Sequence, residues 1–267
     1  MSSLQELIED FDFITEIAYD LSQQFDGVQT EDRKKKVSTY YLAKVVPECI
    51  SLLRMLPGSR FTDAEDLFDF PSFCSISRSL IEAANLHWYY CIDGVDAEAS
   101  SFRFYLYDFH DKKSTLQISK FIGGDEEGLD FLQKRCDELK NAIQSNSKFK
   151  SLLPEVQRQI LKGRKCSDMD QTEISKSRGL EVSTFNGIYK ILSTNTHSTP
   201  SAISSIVHSR IHGNELHKAF AGLVLLYVAS FVADMVRTIG IIWCLEFAKE
   251  ESREIIELYS AALTDSI

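Results

Sequence analysis

Residues 219–233 read Ala-Phe-Ala-Gly-Leu-Val-Leu-Leu-Tyr-Val-Ala-Ser-Phe-Val-Ala, and after Asp234 and Arg237 the apolar sequence resumes over 239–245. A membrane-spanning helix needs about 20 predominantly apolar residues, so the length alone allows a span. Asp234 and Arg237 would be costly near the middle of a span in lipid. Because they are three residues apart on a helix, they can instead pair with each other inside a protein core. We therefore predict a helix over 219–247 at the centre of a helical bundle, and a membrane is not favoured.

Upstream of this run, apolar residues recur at the three- and four-residue steps of core-facing helices. The first helix begins at Leu4, where Ser3 and Glu6 form a capping-box pattern. No segment alternates with period two for long enough to predict a strand. The sequence therefore predicts an all-α, antiparallel multi-helix bundle of about eight or nine helices. The other predicted helices cover 31–56, 71–91, 97–121, 126–145, 171–178, 182–196 and 200–209, and the polar stretch 145–170 is either a surface connection or contains a short inserted helix around 154–161.

Bulk properties limit the domain organisation and the partners. A chain of 267 residues can form one large domain or two small ones. The polar stretch 145–170 shows no sharp shift of composition, so we predict a single helical domain over 1–267. A net charge of −10 argues against a general nucleic-acid surface, because such binding depends on Lys and Arg.

Cysteine spacing favours a reducing compartment. The chain contains no Cys-x-x-Cys pair or other metal-ligand pattern, and no secretory signal precedes the cysteines. We expect free thiols and a cytoplasmic location. The six cysteines are Cys49, Cys74, Cys91, Cys136, Cys166 and Cys244.

A histidine-rich stretch near residue 213 offers a weak set of metal ligands, because only one carboxylate lies nearby. A surface loop is the better interpretation, and we predict no metal. A Gly-rich phosphate loop, a His-Glu-x-x-His motif and a Gly-x-Ser-x-Gly motif are all absent from the sequence, so no cofactor is predicted. The stretch contains His208, Arg210, His212, Glu215 and His217.

The predicted helix 71–91 carries a polar stripe. Arg78, Glu82, Asn85 and Tyr89 follow at i, i+4, i+7 and i+11, on one side of a largely apolar helix. Arg78 and Glu82 can pair with each other, and if buried they need further partners. A solvated face and an internal ion pair are the structural alternatives to a functional site.

A second polar set lies near the end of the helix predicted over 182–196. Tyr189, Ser193 and His197 follow at i, i+4 and i+8. A histidine at this position can act as an acid or a base, or it can simply cap the last carbonyl groups.

Taken together, an Arg-x-x-x-Glu helix and a downstream Tyr-x-x-Leu-Ser-x-x-x-His motif resemble an uncharacterised bacterial all-helical family, catalogued as a domain of unknown function. The resemblance covers about 73–200 and implies no reaction. The matching positions are Arg78, Glu82, Tyr189, Leu192, Ser193 and His197.

We hypothesise that Arg78, Glu82 and His197 converge inside the bundle as one polar site and are the candidate catalytic residues. Candidate ligand-binding residues are Tyr189, Ser193 and Asn85. The favoured function is that of a bacterial intracellular member of this family, with stress or phage defence as one role to test.

Two alternatives remain. Ribonucleases of the HEPN class use an Arg and a His separated by four to six residues, and Arg103 with His110 or Arg210 with His217, each with six residues between, is similar to that motif. Nucleic acid is a predicted partner only in that case. The other alternative is a non-enzymatic interaction or scaffold protein, with an unknown protein partner or a second copy of the chain. The segment 171–188 resembles a helix-turn-helix motif, and we interpret it as two packed helices.

Overall fold

The computed structural model describes residues 3–60, 68–197, 199–212, 215–245, 247 and 249–264, with the backbone alone at 209–212. Over these ranges the chain forms twelve α-helices and no strand, which confirms the all-α prediction and exceeds the predicted number of helices. In chain order the helices are α1 (Leu4–Gln24), α2 (Arg33–Met55), α3 (Phe70–His87), α4 (Ala97–Phe121), α5 (Glu126–Ser145), α6 (Ser147–Ser151), α7 (Pro154–Leu161), α8 (Gln171–Ser177), α9 (Val182–Thr196), α10 (Pro200–His212), α11 (Glu215–Trp243) and α12 (Glu250–Thr264).

The chain divides into two compact units, one comprising residues 1–92 and 171–267 and the other residues 93–170. The prediction of a single domain stays a prediction. Within the first unit, α3 continues into a π-helical turn at Trp88–Ile92.

Helix α11 is the core of the first unit. It packs against α1, α2, α3, α10 and α12, and every residue from 227 to 233 is buried. A helix that is apolar on all sides must be covered on all sides, by protein or by lipid. Its length and composition would allow a membrane span, yet 67% of its most apolar window is buried against the rest of the protein. The prediction of a long apolar helix inside a helical bundle is confirmed.

The end of α11 differs from the prediction, because the helix stops at Trp243 instead of reaching 247, and α12 follows. Cys244 adopts a left-handed backbone conformation with φ of 55°. The amide of Leu245 then donates to the carbonyl oxygen of Gly240 at 2.9 Å, which closes the helix as in a Schellman motif. An apolar residue in this conformation gives no sequence signal for a helix end.

Local capping explains where other helices begin. Ser3 and Glu6 form the predicted capping box at α1. The side chain of Asp69 accepts from the amide of Ser72, with Pro71 in the first turn of α3.

The second unit is built on the α4–α5 hairpin, with α6 and α7 completing its core. Helix α4 ends at a turn in which Gly123 has φ of +76° and the amide of Gly124 donates to the carbonyl oxygen of Ser119 at 2.8 Å. The buried core of this unit consists of Phe102, Leu106, Phe109, Leu116, Cys136, Leu139, Ile143, Phe149 and Ile160.

Candidate functional site

Three polar side chains meet where α3 packs against α9. The Nε of Arg78 donates to Oε1 of Glu82 at 2.7 Å and to the hydroxyl of Tyr189 at 3.2 Å. The Tyr189 hydroxyl donates to the same Glu82 oxygen, and the guanidinium lies 4.9 Å from the centre of the Tyr189 ring. We call Arg78, Glu82 and Tyr189 the Arg78 cluster.

Neighbouring buried positions place this cluster at the edge of the core. On α9 the buried residues are Phe185, Ile188 and Leu192, and the ring of Tyr189 stacks on Phe185 at 5.4 Å. The Arg78 and Glu82 side chains are 28% and 34% exposed. The cluster is therefore fixed by the core on one side and open to solvent on the other.

The surroundings of Tyr189 and Arg78 set their protonation states at neutral pH. Burial and the hydrogen bond to Glu82 raise the pKa of Tyr189 to about 12. Burial acts to lower the pKa of Arg78, but the hydrogen bond and charge of Glu82 outweigh it and leave the pKa above its ordinary value. Tyr189 therefore stays a neutral phenol and Arg78 a cation.

Two groups of donors at the cluster remain unused. Both hydrogen bonds of Arg78 involve Nε, so its terminal nitrogens Nη1 and Nη2 bond to none of the residues that the structure describes. Ser193 lies one helical turn after Tyr189 and is half-buried. Its hydroxyl likewise has no partner in the described part of the chain.

His197 does not join the cluster. It is the exposed C-cap residue of α9, eight residues beyond Tyr189, which is about 12 Å along the helix axis. Within the described ranges, no hydrogen bond or ion pair links its imidazole to Arg78 or Glu82. The hypothesis that all three converge is not supported by this placement, and the position fits the capping alternative.

Asn85, a predicted ligand-binding residue, lies in the core instead. Its amide nitrogen donates to Gln171 at 2.9 Å and to Ser175 at 3.1 Å, while its amide oxygen accepts from Arg178 at 2.8 Å. The side chain is fully buried. These bonds use its polar groups within the protein and leave no face for a ligand.

Arg178 and Asp234 form a buried ion pair that the sequence did not reveal. Their side chains are 3% and 13% exposed, and they meet at 2.7 Å. Arg178 also lies over Phe231, and Asp234 accepts from Arg237 at 2.8 Å and Ser260 at 2.9 Å. The pairing of Asp234 with Arg237 was anticipated from their spacing.

The charges of this pair and of His87 follow from burial. Burial lowers the pKa of Arg178. At Asp234 burial acts to raise the pKa, but the charge of Arg178 together with the hydrogen bonds from Arg237 and Ser260 and the charge of Arg237 outweighs it and holds the pKa below the ordinary value. Burial, followed by the charge of Arg178, lowers the pKa of His87 to about 3. His87 is thus neutral, and its buried Nε2 has no partner among the described residues.

The first nuclease pair, Arg103 and His110, is not arranged for phosphate chemistry. The side chain of Arg103 is 9% exposed and pairs with Asp93 at 2.7 Å. A phosphate would have to displace that carboxylate. His110 is half-buried and seven residues along α4, about 10 Å away along the axis.

In the second nuclease pair, His217 is held by contacts with neighbouring side chains. Its Nε2 lies 2.8 Å from the hydroxyl of Ser205, and its ring stacks on Phe70 at 4.5 Å. Burial, with His208, lowers the pKa of His217. The side chain of Arg210 lies outside the described residues. The nuclease alternative stays a prediction that this geometry does not favour.

In the described part of the chain, no group of three or more His, Cys, Asp or Glu side chains is placed to hold a metal ion. The segment 171–188, which resembles a helix-turn-helix motif, forms two packed helices, α8 and α9, as interpreted from the sequence.

Fold and site together define an all-helical protein with a half-buried arginine cluster at the α3–α9 contact and an ion pair in its core. The chain belongs to DUF5677, a family of unknown function whose model matches residues 70–214. Membership of an uncharacterised family, predicted from the two motifs, is confirmed. No curated protein and no solved structure matches the chain. The matched region contains the Arg78 cluster and Arg178, whereas Asp234 lies beyond it.

Proposed function

We propose that this protein is a binding protein that recognises an anionic group, a carboxylate or a phosphate, through Arg78. The observation that carries the proposal is that the three nitrogens of this guanidinium differ in their hydrogen bonding. Its Nε is held by Glu82 and Tyr189, while Nη1 and Nη2 have no partner among the described residues. Planar, bidentate recognition of carboxylate and phosphate is the chemistry for which Arg is best suited.

Preorganisation strengthens the proposal. Stacking on Tyr189 and the bond to Glu82 fix the direction of the guanidinium before any ligand arrives. A group that is already ordered loses less conformational entropy on binding. The hydroxyl of Ser193, which has no partner among the described residues, adds a donor on the same face of α9 as Tyr189.

Glu82 determines how strongly an anion is expected to bind to Arg78. Its negative charge orients Arg78 but also repels an incoming anion, so a bare anion should bind weakly. The natural ligand must therefore gain affinity from contacts outside the cluster, as expected for an anionic group on a larger molecule.

Chemistry favours binding over catalysis at this cluster. A general base must lie within about 2.6–3.2 Å of the proton it removes, or one water away. Tyr189 is neutral because of its raised pKa, and the exposed His197 lies two turns farther along α9. Bacterial origin, cytoplasmic location and a role in stress or phage defence stay predictions from the sequence.

Calorimetric titration with inorganic phosphate, and separately with acetate, tests the proposal at low ionic strength, where charge interactions are least screened. Arg78→Ala should abolish measurable binding. Glu82→Gln should strengthen binding by roughly two- to fivefold, because it keeps a hydrogen-bond acceptor and removes a repulsive charge worth up to about 1 kcal/mol.

Arg253→Ala is the matched control, because Arg253 is 55% exposed and pairs with a carboxylate three residues away on its helix. It removes one positive charge without touching α3 or α9 and should leave binding unchanged. Equal binding by the wild type and Arg78→Ala, or no binding by the wild type, would refute the proposal.

A further inference from the structure

The α4–α5 hairpin ends in an apolar surface that the described residues of its own unit leave uncovered. Ile118, Phe121 and Ile122 are 60%, 91% and 70% exposed, and they lie within about one turn of helix. Single exposed apolar residues are common, but a contiguous group marks an interaction site. We call these three residues the hairpin tip.

The hairpin tip extends beyond the core of its own unit. The last buried residue of α4 is Leu116, and the first buried residue of α5 is Cys136. The intervening turn is nevertheless well defined, because Gly123 takes the left-handed conformation and an alanine-sized side chain at Gly124 would meet the Ser119 carbonyl oxygen at 3.2 Å. The apolar residues are therefore presented by an ordered turn.

Charges of opposite sign flank the hairpin tip on its two helices. Lys120 lies in the last turn of α4, and Glu126 and Glu127 lie in the first turn of α5. These three side chains form no salt bridge with any residue that the structure describes. Each sign is placed at the helix end where the helix dipole favours it.

We propose that the hairpin tip is the contact through which two copies of this chain associate about a two-fold axis. A two-fold contact uses the same surface on both subunits, so it requires a surface that complements itself. An apolar centre meets that requirement when it lies between Lys120 on one helix and Glu126 and Glu127 on the next, none of which forms an ion pair with the described residues. Lys120 of each copy would face the acidic residues of the other.

The size of the contact predicts a weak, exchanging dimer. Stable interfaces bury about 800 Å² on each partner, which three side chains and their charged neighbours do not reach. We expect dissociation constants on the order of tens of micromolar or weaker, so the monomer and the dimer should coexist as the concentration changes.

Sedimentation equilibrium of the full chain over a wide concentration range tests this proposal. The wild type should show a monomer–dimer equilibrium, and Phe121→Ser should weaken it at least tenfold. Phe131→Ser is the control, because Phe131 is 68% exposed on α5 and lies outside the hairpin tip. All these side chains are exposed, so the variants should fold normally.

Charge-reversal variants distinguish a specific two-fold contact from non-specific association. Lys120→Glu alone and the double variant Glu126→Lys/Glu127→Lys alone should each self-associate more weakly than the wild type. An equal mixture of the two should form a heterodimer more strongly than either variant self-associates. A wild type that stays monomeric, equal weakening by Phe131→Ser, or a mixture no stronger than its parts would overturn the proposal. Loss of vesicle binding by Phe121→Ser without any dimer would also overturn it, in favour of a membrane contact.

Discussion

Replacing Asp234 with alanine should lower the free energy of unfolding by about 3–5 kcal/mol. The substitution leaves Arg178 buried without its carboxylate, and an uncompensated buried charge is far more costly than a broken surface pair. It also removes the acceptor for Arg237 and Ser260. Denaturant unfolding followed by circular dichroism measures the change.

The same pair predicts how stability depends on pH. The pKa of Asp234 lies below its ordinary value of 3.8 in the folded protein. A lowered carboxyl pKa contributes stability that is fully present above the unfolded pKa and is lost as the pH falls through the folded pKa. The stabilisation from Asp234 should thus persist at neutral pH, begin to fall near pH 4 and be lost only as the pH drops through the lowered folded pKa.

Arg237→Ala provides the matched control for this prediction, because Arg237 bonds to the same carboxylate but its side chain is 39% exposed. It should cost about 1 kcal/mol, since water can replace part of the interaction. Removing both buried charges, as Arg178→Met with Asp234→Leu, should recover much of the loss. If Asp234→Ala costs no more than Arg237→Ala, the buried pair does not stabilise the fold as described.

Phe231→Ala should have a comparable effect, lowering the free energy of unfolding by about 3–5 kcal/mol. The ring is fully buried at the centre of α11, contacts Tyr227 edge-to-face at 5.0 Å and lies beneath the Arg178 guanidinium. Its removal creates a cavity and also takes the aromatic face away from Arg178. Thermal and denaturant unfolding both report this loss.

Leu223→Ala is the control on the same helix, because Leu223 is 41% exposed and its truncation opens no core cavity. We expect a change within about 0.5 kcal/mol. Similar losses for the two variants would contradict the placement of 227–233 as the covered part of α11.

Helix boundaries could be predicted where a capping residue, a glycine or a proline marks the helix end in the sequence. Helices α4 and α5 were predicted over the observed ranges. In the structure Asp96 caps the first, Asp125 caps the second and Gly123 follows the end of α4. The end of α11 was missed because Cys244 adopts a conformation usually taken by glycine. Short helices in 145–170 could be recognised only where Pro154 marks a start.

The site was partly predictable for a similar reason. Arg78 and Glu82 are four residues apart on one helix, so their pairing follows from local geometry, and the resemblance added Tyr189. The Arg178–Asp234 pair joins residues 56 apart in sequence. An aspartate within an apolar helix indicates that a cation must be near, but the chain has 29 Lys and Arg residues and spacing does not choose among them.

The central claim is that the terminal nitrogens of Arg78 bind an anion, and NMR of arginine side chains labelled with nitrogen-15 tests it most directly. The Nε resonance of Arg78, assigned from its absence in Arg78→Lys, should shift along a saturable curve as inorganic phosphate is added at low ionic strength. The Arg237 resonance should stay in place, because its Nε bonds to Ser260 and its Nη2 to Asp234. An Arg78 resonance that does not move, or that moves no more than those of other exposed arginines, would contradict the claim.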